Sequence, residues 1–265
     1  MVVPQFEKEV ILCHVLKIER AKLFSHPKRA LTPSEQKHYN ELIKRRLNHE
    51  PIAYLVKNQP FMGLEFYIGQ NVLIPRPETE LLVEATIKLL RLSNIEYRIA
   101  DIGTGSGCIA VSLAKYLPNV QVIGIDSSAK ALKISQRNAE FHQVQDRCEF
   151  KQGDLLTGLT KKFDLIVSNP PYIPTSEIAK LEPDVKDFEP HPALDGGPDG
   201  LTYIKRLITQ APYYGTTALP HYLLIEIGYN QGEAVRKLAE GTKKYNRINI
   251  IKDLSGHDRI LSCQF

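Results

Sequence analysis

An α/β fold built on a parallel sheet covered by helices on both faces, with a small helical unit at the N-terminus, is what this 265-residue sequence predicts. Three observations carry that prediction. From Arg98 onward, short apolar strands alternate with helical stretches, the pattern of a sheet wrapped on both sides. A glycine-rich turn joins the first of those strands to its helix. The first fifty residues carry helix signals and no strand pattern.

Residues 5–25 lack Gly and are followed by Pro27, which predicts a helix ending near His26. Thr32-Pro33-Ser34-Glu35 then combines an N-cap hydroxyl, Pro at the first helical position and Glu at the third, ahead of apolar residues at helical spacing through Leu47. From Pro51 to Ile74, aromatic and β-branched residues interrupted by Gly63 and Gly69 read as a hairpin, with Phe61 to Phe66 and then Tyr67-Ile68 as short strands. Pro75-Arg76-Pro77 opens a helix over about 78–92.

Beyond it, strands are expected at 98–102, 120–125, 148–151, 163–168, 221–227, 247–252 and 259–264, and helices at 107–116, 128–141, 200–209 and 231–238. Only residues 253–258 separate the last two strands, too few for a crossover, so these two should pair antiparallel.

With 43% hydrophobic and 24% charged residues the composition is that of a folded globular chain rather than a disordered or fibrous one. Glu7, Lys8 and Glu9 interrupt the N-terminal apolar run, which argues against a leader or membrane span and for a cytoplasmic protein. Cys13, Cys108, Cys148 and Cys263 form no C-x-x-C pair, and His191, His221 and His257 show no ligand spacing, so no metal is expected. Residues 1–60 hold eleven Lys/Arg against six Asp/Glu, a balance of +5 out of the chain's +4, and a basic face of that kind can steer an acidic partner.

The first chemistry-bearing segment is Asp101-Ile102-Gly103-Thr104-Gly105-Ser106-Gly107, between a strand and a helix. Glycines at 103, 105 and 107 permit positive φ and close approach of a ligand to the backbone, and the helix start offers free N–H groups. Nineteen residues after Gly107 (126 − 107), Asp126 ends the next strand, where a carboxylate can accept both hydroxyls of a ribose. These two features alone also satisfy a dinucleotide fingerprint, which leaves an NAD reading open.

The second segment is Asn169-Pro170-Pro171-Tyr172, at the carboxyl end of the strand Phe163 to Ser168, where open α/β sheets bind ligands. The Asn169 side-chain oxygen and the Pro170 carbonyl can each accept one N–H of a flat NH₂ group, turning its nitrogen toward a methyl sulfonium. The prolines keep the loop stiff and add no competing donor. Tyr172 can stack on the flat group. After the third strand, Asp154 could take an adenine amine and Leu155 pack on its face, although an ordinary turn reads equally well there.

These segments together resemble the HemK/PrmC family, the protein-(glutamine-N5) methyltransferases of class I peptide chain release factors. The likeness runs from about Phe6 to the C-terminus and includes Val72 to Glu80, a linker motif at the mouth of the active site. It also includes Glu189-Pro190, Asp199-Gly200-Leu201, Glu226-Ile227-Gly228, Gln231 and Lys252 to Gly256. The resemblance implies a class I S-adenosylmethionine-dependent methyltransferase: a Rossmann-like seven-stranded sheet, its last strand antiparallel, behind a helical N-terminal domain that helps recognise the release factor.

By the same likeness, residues 1–55 form the recognition domain, 56–76 a β-hairpin linker and 77–265 the catalytic domain. The cofactor would be S-adenosyl-L-methionine on Gly103, Thr104, Gly105, Ser106, Gly107, Asp126, Asp154, Leu155 and Asn169. The substrate glutamine would meet Asn169, Pro170, Pro171 and Tyr172, with Arg76 and Glu78 beside them. Relatives carry further residues before the first helix, so this N-terminal domain reads as about one helix short, and some carry an aromatic residue at the place of Leu155. The rivals are methylation of a ribosomal-protein glutamine, methylation of adenine N6 in DNA, and cofactor binding without catalysis. A DNA enzyme must grip a duplex and flip a base, and no second basic domain stands in the sequence; no sequence-specific nucleic-acid contact is expected.

Overall fold

The structure, a computed structural model, describes residues 2–25, 30–90, 95–215 and 220–265. The chain opens with four helices, α1 (Gln5–Leu16), α2 (Arg20–Ser25), α3 (Pro33–Leu47) and α4 (Ile52–Val56). The single helix expected over 5–25 is broken. Lys17 adopts a left-handed conformation with φ 53°, and the Ile18 and Lys17 amides donate back to the Cys13 and His14 carbonyls. This ending satisfies orphan helix carbonyls without a glycine, which is why composition did not reveal it. The break lets α2 turn back so that the Arg20 guanidinium reaches Glu9 at 2.7 Å. The end expected near His26 lies outside the described residues.

The start of α3 is as its sequence predicts: the Glu35 amide donates to Thr32 Oγ1 at 3.3 Å, and the Thr32 amide donates to Glu35 Oε2 at 2.8 Å. Each group satisfies a donor that the first helical turn leaves open. Ile11, Leu42 and Leu55 are the buried centre of this unit, and Arg46 ties α3 to α1 through Glu7 at 2.7 Å.

The segment expected to be hairpin from Pro51 begins instead with α4. The hairpin proper is β1 (Asn58–Phe61) and β2 (Leu64–Tyr67), so Phe61 to Phe66 is a turn flanked by strand ends rather than one strand. Met62 and Gly63 make that turn with φ of 52° and 68°. A mirror-image two-residue turn matches the twist of paired strands, and its cost at Met62 is tolerable because its polar groups are all bound. Glu80 Oε1 accepts from the Met62 amide at 2.6 Å, and the Tyr116 hydroxyl donates to the Met62 carbonyl.

Next come α5 (Pro77–Leu90), β3 (Tyr97–Ile102), α6 (Cys108–Tyr116), β4 (Val120–Asp126), α7 (Ala129–Phe141), β5 (Cys148–Gln152) and β6 (Leu165–Ser168). They are followed by two one-turn helices, α8 (Thr175–Ile178) and α9 (Pro183–Lys186), then α10 (Thr202–Gln210), β7 (Tyr222–Glu226), α11 (Gly232–Thr242), β8 (Arg247–Lys252) and β9 (Asp258–Gln264). The helix expected to reach Leu92 is described only to Leu90.

Among the described residues, seven strands form one sheet in the order β5-β4-β3-β6-β7-β9-β8. β9 pairs antiparallel with both β7 and β8, so only the last strand runs against the rest, as the short 253–257 connection requires. α5, α6 and α7 bury one face around residues such as Leu82, Leu113 and Val122, and α10 and α11 bury the other around Ile102, Leu207 and Val235. Burial on both sides explains why β6 is buried throughout, with three consecutive apolar residues instead of an alternation. Leu113 is 0% exposed, and its truncation to Ala would cost about 3 kcal/mol.

Candidate active site

The chain leaves β3 toward β4 and β5 on one side, then returns to add β6 on the other. At such a reversal the loops after two adjacent parallel strands diverge and open a crevice. Here those loops are the glycine turn after β3 and Asn169 to Tyr172 after β6. A cleft of about 300 Å³ lies there, lined by Gly103, Gly105, Asp126, Asp154, Leu155 and Asn169 among others. That volume is at the lower end for small-molecule sites.

The three glycines divide by role. Gly103 and Gly105 line the cleft at φ of 72° and 55°, and a Cβ on either would meet nothing closer than 3.9 Å. The left-handed backbone, not crowding by protein, therefore demands glycine there. Gly107 is different: its Cβ would lie 3.0 Å from the Ser135 backbone, so it lets α6 pack closely on α7 and does not line the cleft. Thr104 and Ser106 are also buried away from it. Thr104 Oγ1 donates to Asp101 Oδ2 at 2.6 Å, and the Ala110 amide donates to the same oxygen at 3.2 Å. Asp101 is 0% exposed, its Oδ1 has no partner, and burial pushes its carboxyl up to about 7.

Asp126 stands at the end of β4 as expected. Its Oδ2 accepts from the Gly105 amide and its Oδ1 from the Ser128 amide, both at 2.9 Å. Each oxygen keeps a further lone pair for a ligand hydroxyl. The carboxylate thus holds the glycine turn in place as well as facing the cleft.

Asn169 lines the cleft and donates from Nδ2 to Thr79 Oγ1 at 3.0 Å. That bond leaves Oδ1 as the end of the amide available to accept. Pro171 also lines the cleft, whereas Pro170 is buried and not part of its wall. Tyr172 is not among the lining residues either; its hydroxyl donates to Glu226 Oε1 at 3.3 Å, and burial pushes its pKa upward. Its carbonyl accepts from Gln231 Nε2 at 3.0 Å, which also reaches the Gly200 carbonyl at 3.3 Å.

Asp154, which by sequence could take an adenine amine or make an ordinary turn, lines the cleft and is bonded at 2.6 Å by the Arg206 guanidinium of α10, and Leu155 lines the cleft with φ 53°. Arg76 pairs with the buried Glu189, which also accepts from the Ile74 amide at 3.1 Å. Burial holds the Glu189 carboxyl above its ordinary range despite that partner. Glu78 is exposed at the start of α5.

Sequence reasoning passed over Thr79, which follows Glu78 inside the linker motif, and gave no role to Glu226 or Gln231, which it quoted only as matches. Pro190, Pro192, Ala193 and Tyr203 also line the cleft unannounced. A buried polar residue at a strand's carboxyl end, as Glu226 is in Ile225-Glu226-Ile227, was the one available signal.

The description PrmC N-terminal domain fits residues 3–56, and the description methyltransferase small domain fits residues 78–181. Two curated relatives called release factor glutamine methyltransferase, from Koribacter versatilis and Thermodesulfovibrio yellowstonii, are each 40% identical over 261 residues. The alignments span 97% of this chain and 90% and 91% of theirs. The solved structure of ribosomal protein L11 methylase from Lactobacillus delbrueckii subsp. bulgaricus is 19% identical with a TM-score of 0.51, covering 71% of this chain and 78% of its own, a likeness of fold alone.

Proposed function

The chain belongs to the release factor glutamine methyltransferases, and from that premise we propose that it transfers a methyl group from S-adenosyl-L-methionine to the side-chain amide nitrogen, N5, of the glutamine in the Gly-Gly-Gln loop of a class I peptide chain release factor. The observation that carries this reading is Asn169, tied through Nδ2 to Thr79 at the cleft wall with its oxygen left to accept. The cofactor fits the residues present. Gly103 and Gly105 leave room above a left-handed backbone, Asp126 keeps lone pairs for two ribose hydroxyls, and Leu155 offers an apolar wall. When bound it supplies an electrophilic methyl carbon.

The chain's own residues position the acceptor. Asn169 Oδ1 takes one N–H of the glutamine amide, and the carbonyl of Pro170, a residue that does not itself line the cleft, would take the other, which fixes its rotation and raises electron density on nitrogen. No protein base is needed, because an alkylated amide nitrogen that still carries its extra proton is strongly acidic and releases it to water. Rate comes from orientation and fixed dipoles. Arg76, held by Glu189, and exposed Glu78 are assigned to the incoming substrate loop, although neither lines the cleft itself.

The same proposal divides the chain into a recognition unit at 1–55, a hairpin linker at 56–76 and a catalytic unit from 77, in keeping with the boundaries of the two matched families. The basic excess of the first sixty residues would steer the acidic surface of a release factor. No nucleic acid is read, and the enzyme works in the cytoplasm. Among the described residues no helix is long and apolar enough to cross a membrane. The test offers the enzyme labelled cofactor with a release factor, its loop Gln→Asn variant and adenine-containing DNA. Label in the unaltered factor alone is expected; label in the DNA, or equal label in the variant, overturns the reading.

A further inference from the structure

Asn169 is held by a residue that is itself undecided. Which end of its amide faces the cleft depends on whether Thr79 Oγ1 offers it a lone pair or a proton. A hydroxyl that accepts from one neighbour must send its own proton to another. α5 packs on β7, and the Glu226 carboxyl at the end of β7, 2% exposed, is close enough to Thr79 for the hydroxyl to act on it. Its Oε1 takes the Tyr172 hydroxyl at 3.3 Å, while its Oε2 is buried with no partner. An unmatched buried oxygen beside a hydroxyl is costly, and the Thr79 proton is the donor at hand.

We propose that Glu226 is a positioning residue: as a carboxylate it draws the Thr79 proton, which fixes Thr79 as an acceptor toward Asn169 Nδ2 and so turns Asn169 Oδ1 to the substrate amide. Protonation of Glu226 reverses the chain. The acid then donates to Thr79, Thr79 donates to Asn169, and the amide turns its NH₂ to the cleft, where it confronts the donors of the glutamine. The inference rests on the substrate reading above, since only an NH₂ acceptor needs an oxygen there.

The groups that face Glu226 are Tyr172 from the loop after β6, Glu78 and Thr79 at the start of α5, Arg259 on β9 and Cys108 at the start of α6. Burial dominates and pushes the Glu226 carboxyl up to about 7, while the Thr79 and Tyr172 hydroxyls and Arg259 act in the opposite direction. The switch therefore falls within the range in which the enzyme can be assayed.

Two measurements on the full chain test it. The first follows the Asn169 side-chain amide by ¹⁵N NMR from pH 5.5 to 9, with no substrate present. In the wild type the signal should titrate near 7; in Glu226→Gln it should not. The second follows methyl transfer at saturating cofactor over the same range. The wild type should lose turnover as pH falls through about 7, Glu226→Gln should run at least roughly tenfold slower with that acid limb gone, and Thr79→Ser should restore most of what Thr79→Val loses. An Asn169 signal that is flat in the wild type, or that still titrates in Glu226→Gln, refutes the relay, as does an unchanged acid limb in that variant. A titrating signal together with no label in the release factor supports the relay and overturns only the choice of substrate.

Discussion

Asn169 and Thr79, 90 residues apart in sequence, meet through a 3.0 Å hydrogen bond that joins the loop after β6 to the first turn of α5. The bond ties the loop that carries Asn169 to a buried residue of α5 behind the cleft. Asn169→Ala should lower kcat by roughly a hundredfold, the usual loss for one hydrogen bond made at the reacting group. Cofactor affinity by calorimetry should change little, and near-normal turnover would remove Asn169 from its role.

Asp126→Ala should weaken S-adenosyl-L-methionine binding at least tenfold, equivalent to roughly 1.5–3 kcal/mol for the lost hydroxyl acceptors. Part of the loss arises without the ribose, because the Gly105 and Ser128 amides lose their partner too. NAD should not compete in the same titration; tighter binding of NAD than of the sulfonium cofactor would overturn the assignment.

Asp101 gives a pH dependence of stability. Folding raises its carboxyl from an ordinary 3.8 to about 7, mainly by burial. The folded state therefore holds the proton more tightly, so the stabilisation is complete below 3.8 and is lost as pH rises through about 7. Asp101→Asn should melt higher than the wild type at pH 8.5, and that advantage should shrink at pH 5, inside the window between 3.8 and about 7, each kcal/mol shifting Tm by roughly 2–4 °C in a domain of this size. Calorimetric scans at both pH values check the difference.

Glu189 is buried and serves both the Arg76 guanidinium and the Ile74 amide. Glu189→Ala leaves both without a partner and should cost about 3 kcal/mol in denaturant unfolding. KM for the release factor should rise as the entrance loosens, whereas a loss under about 0.5 kcal/mol, ordinary for surface substitutions, would show that the pair holds nothing.

Gly200 sits at φ 71° with its Cβ position 2.3 Å from the Tyr172 carbonyl and 2.8 Å from Gln231 Nε2. Gly200→Ala must displace the loop after β6 or itself unwind, at roughly 2–4 kcal/mol. Turnover should fall along with Tm. A variant with wild-type kcat would show that the loop does not depend on this contact.

What was legible in the sequence was whatever depends on neighbouring residues. Alternating strands and helices, the Thr32 capping box and the short 253–257 turn each leave a local mark, and each is found in the structure. Asp126 and Asn169 were findable because each stands at the carboxyl end of a parallel strand, where the loops of such a sheet face a crevice. The rest depended on residues distant in sequence. Lys17 ends α1 with no glycine to announce it, Ile52–Val56 is helical despite a strand-like composition, and Thr79 matters only because β6 places Asn169 beside it. The same holds for Gly107, whose place in the motif suggested a ligand and whose neighbour is Ser135.

The hairpin turn at Met62 is bonded by Glu80 of α5 and Tyr116 of α6, and the Tyr67 backbone is bonded at 2.8 and 3.0 Å by Asn138 of α7. Local opening of a protein proceeds in blocks defined by such bonds rather than by order along the chain. By that measure the hairpin opens with the sheet and its three helices, even though only Lys57 separates it from α4. Its amides should be protected from hydrogen exchange to the depth of α6, and α1 and α2 should unravel first without exposing them.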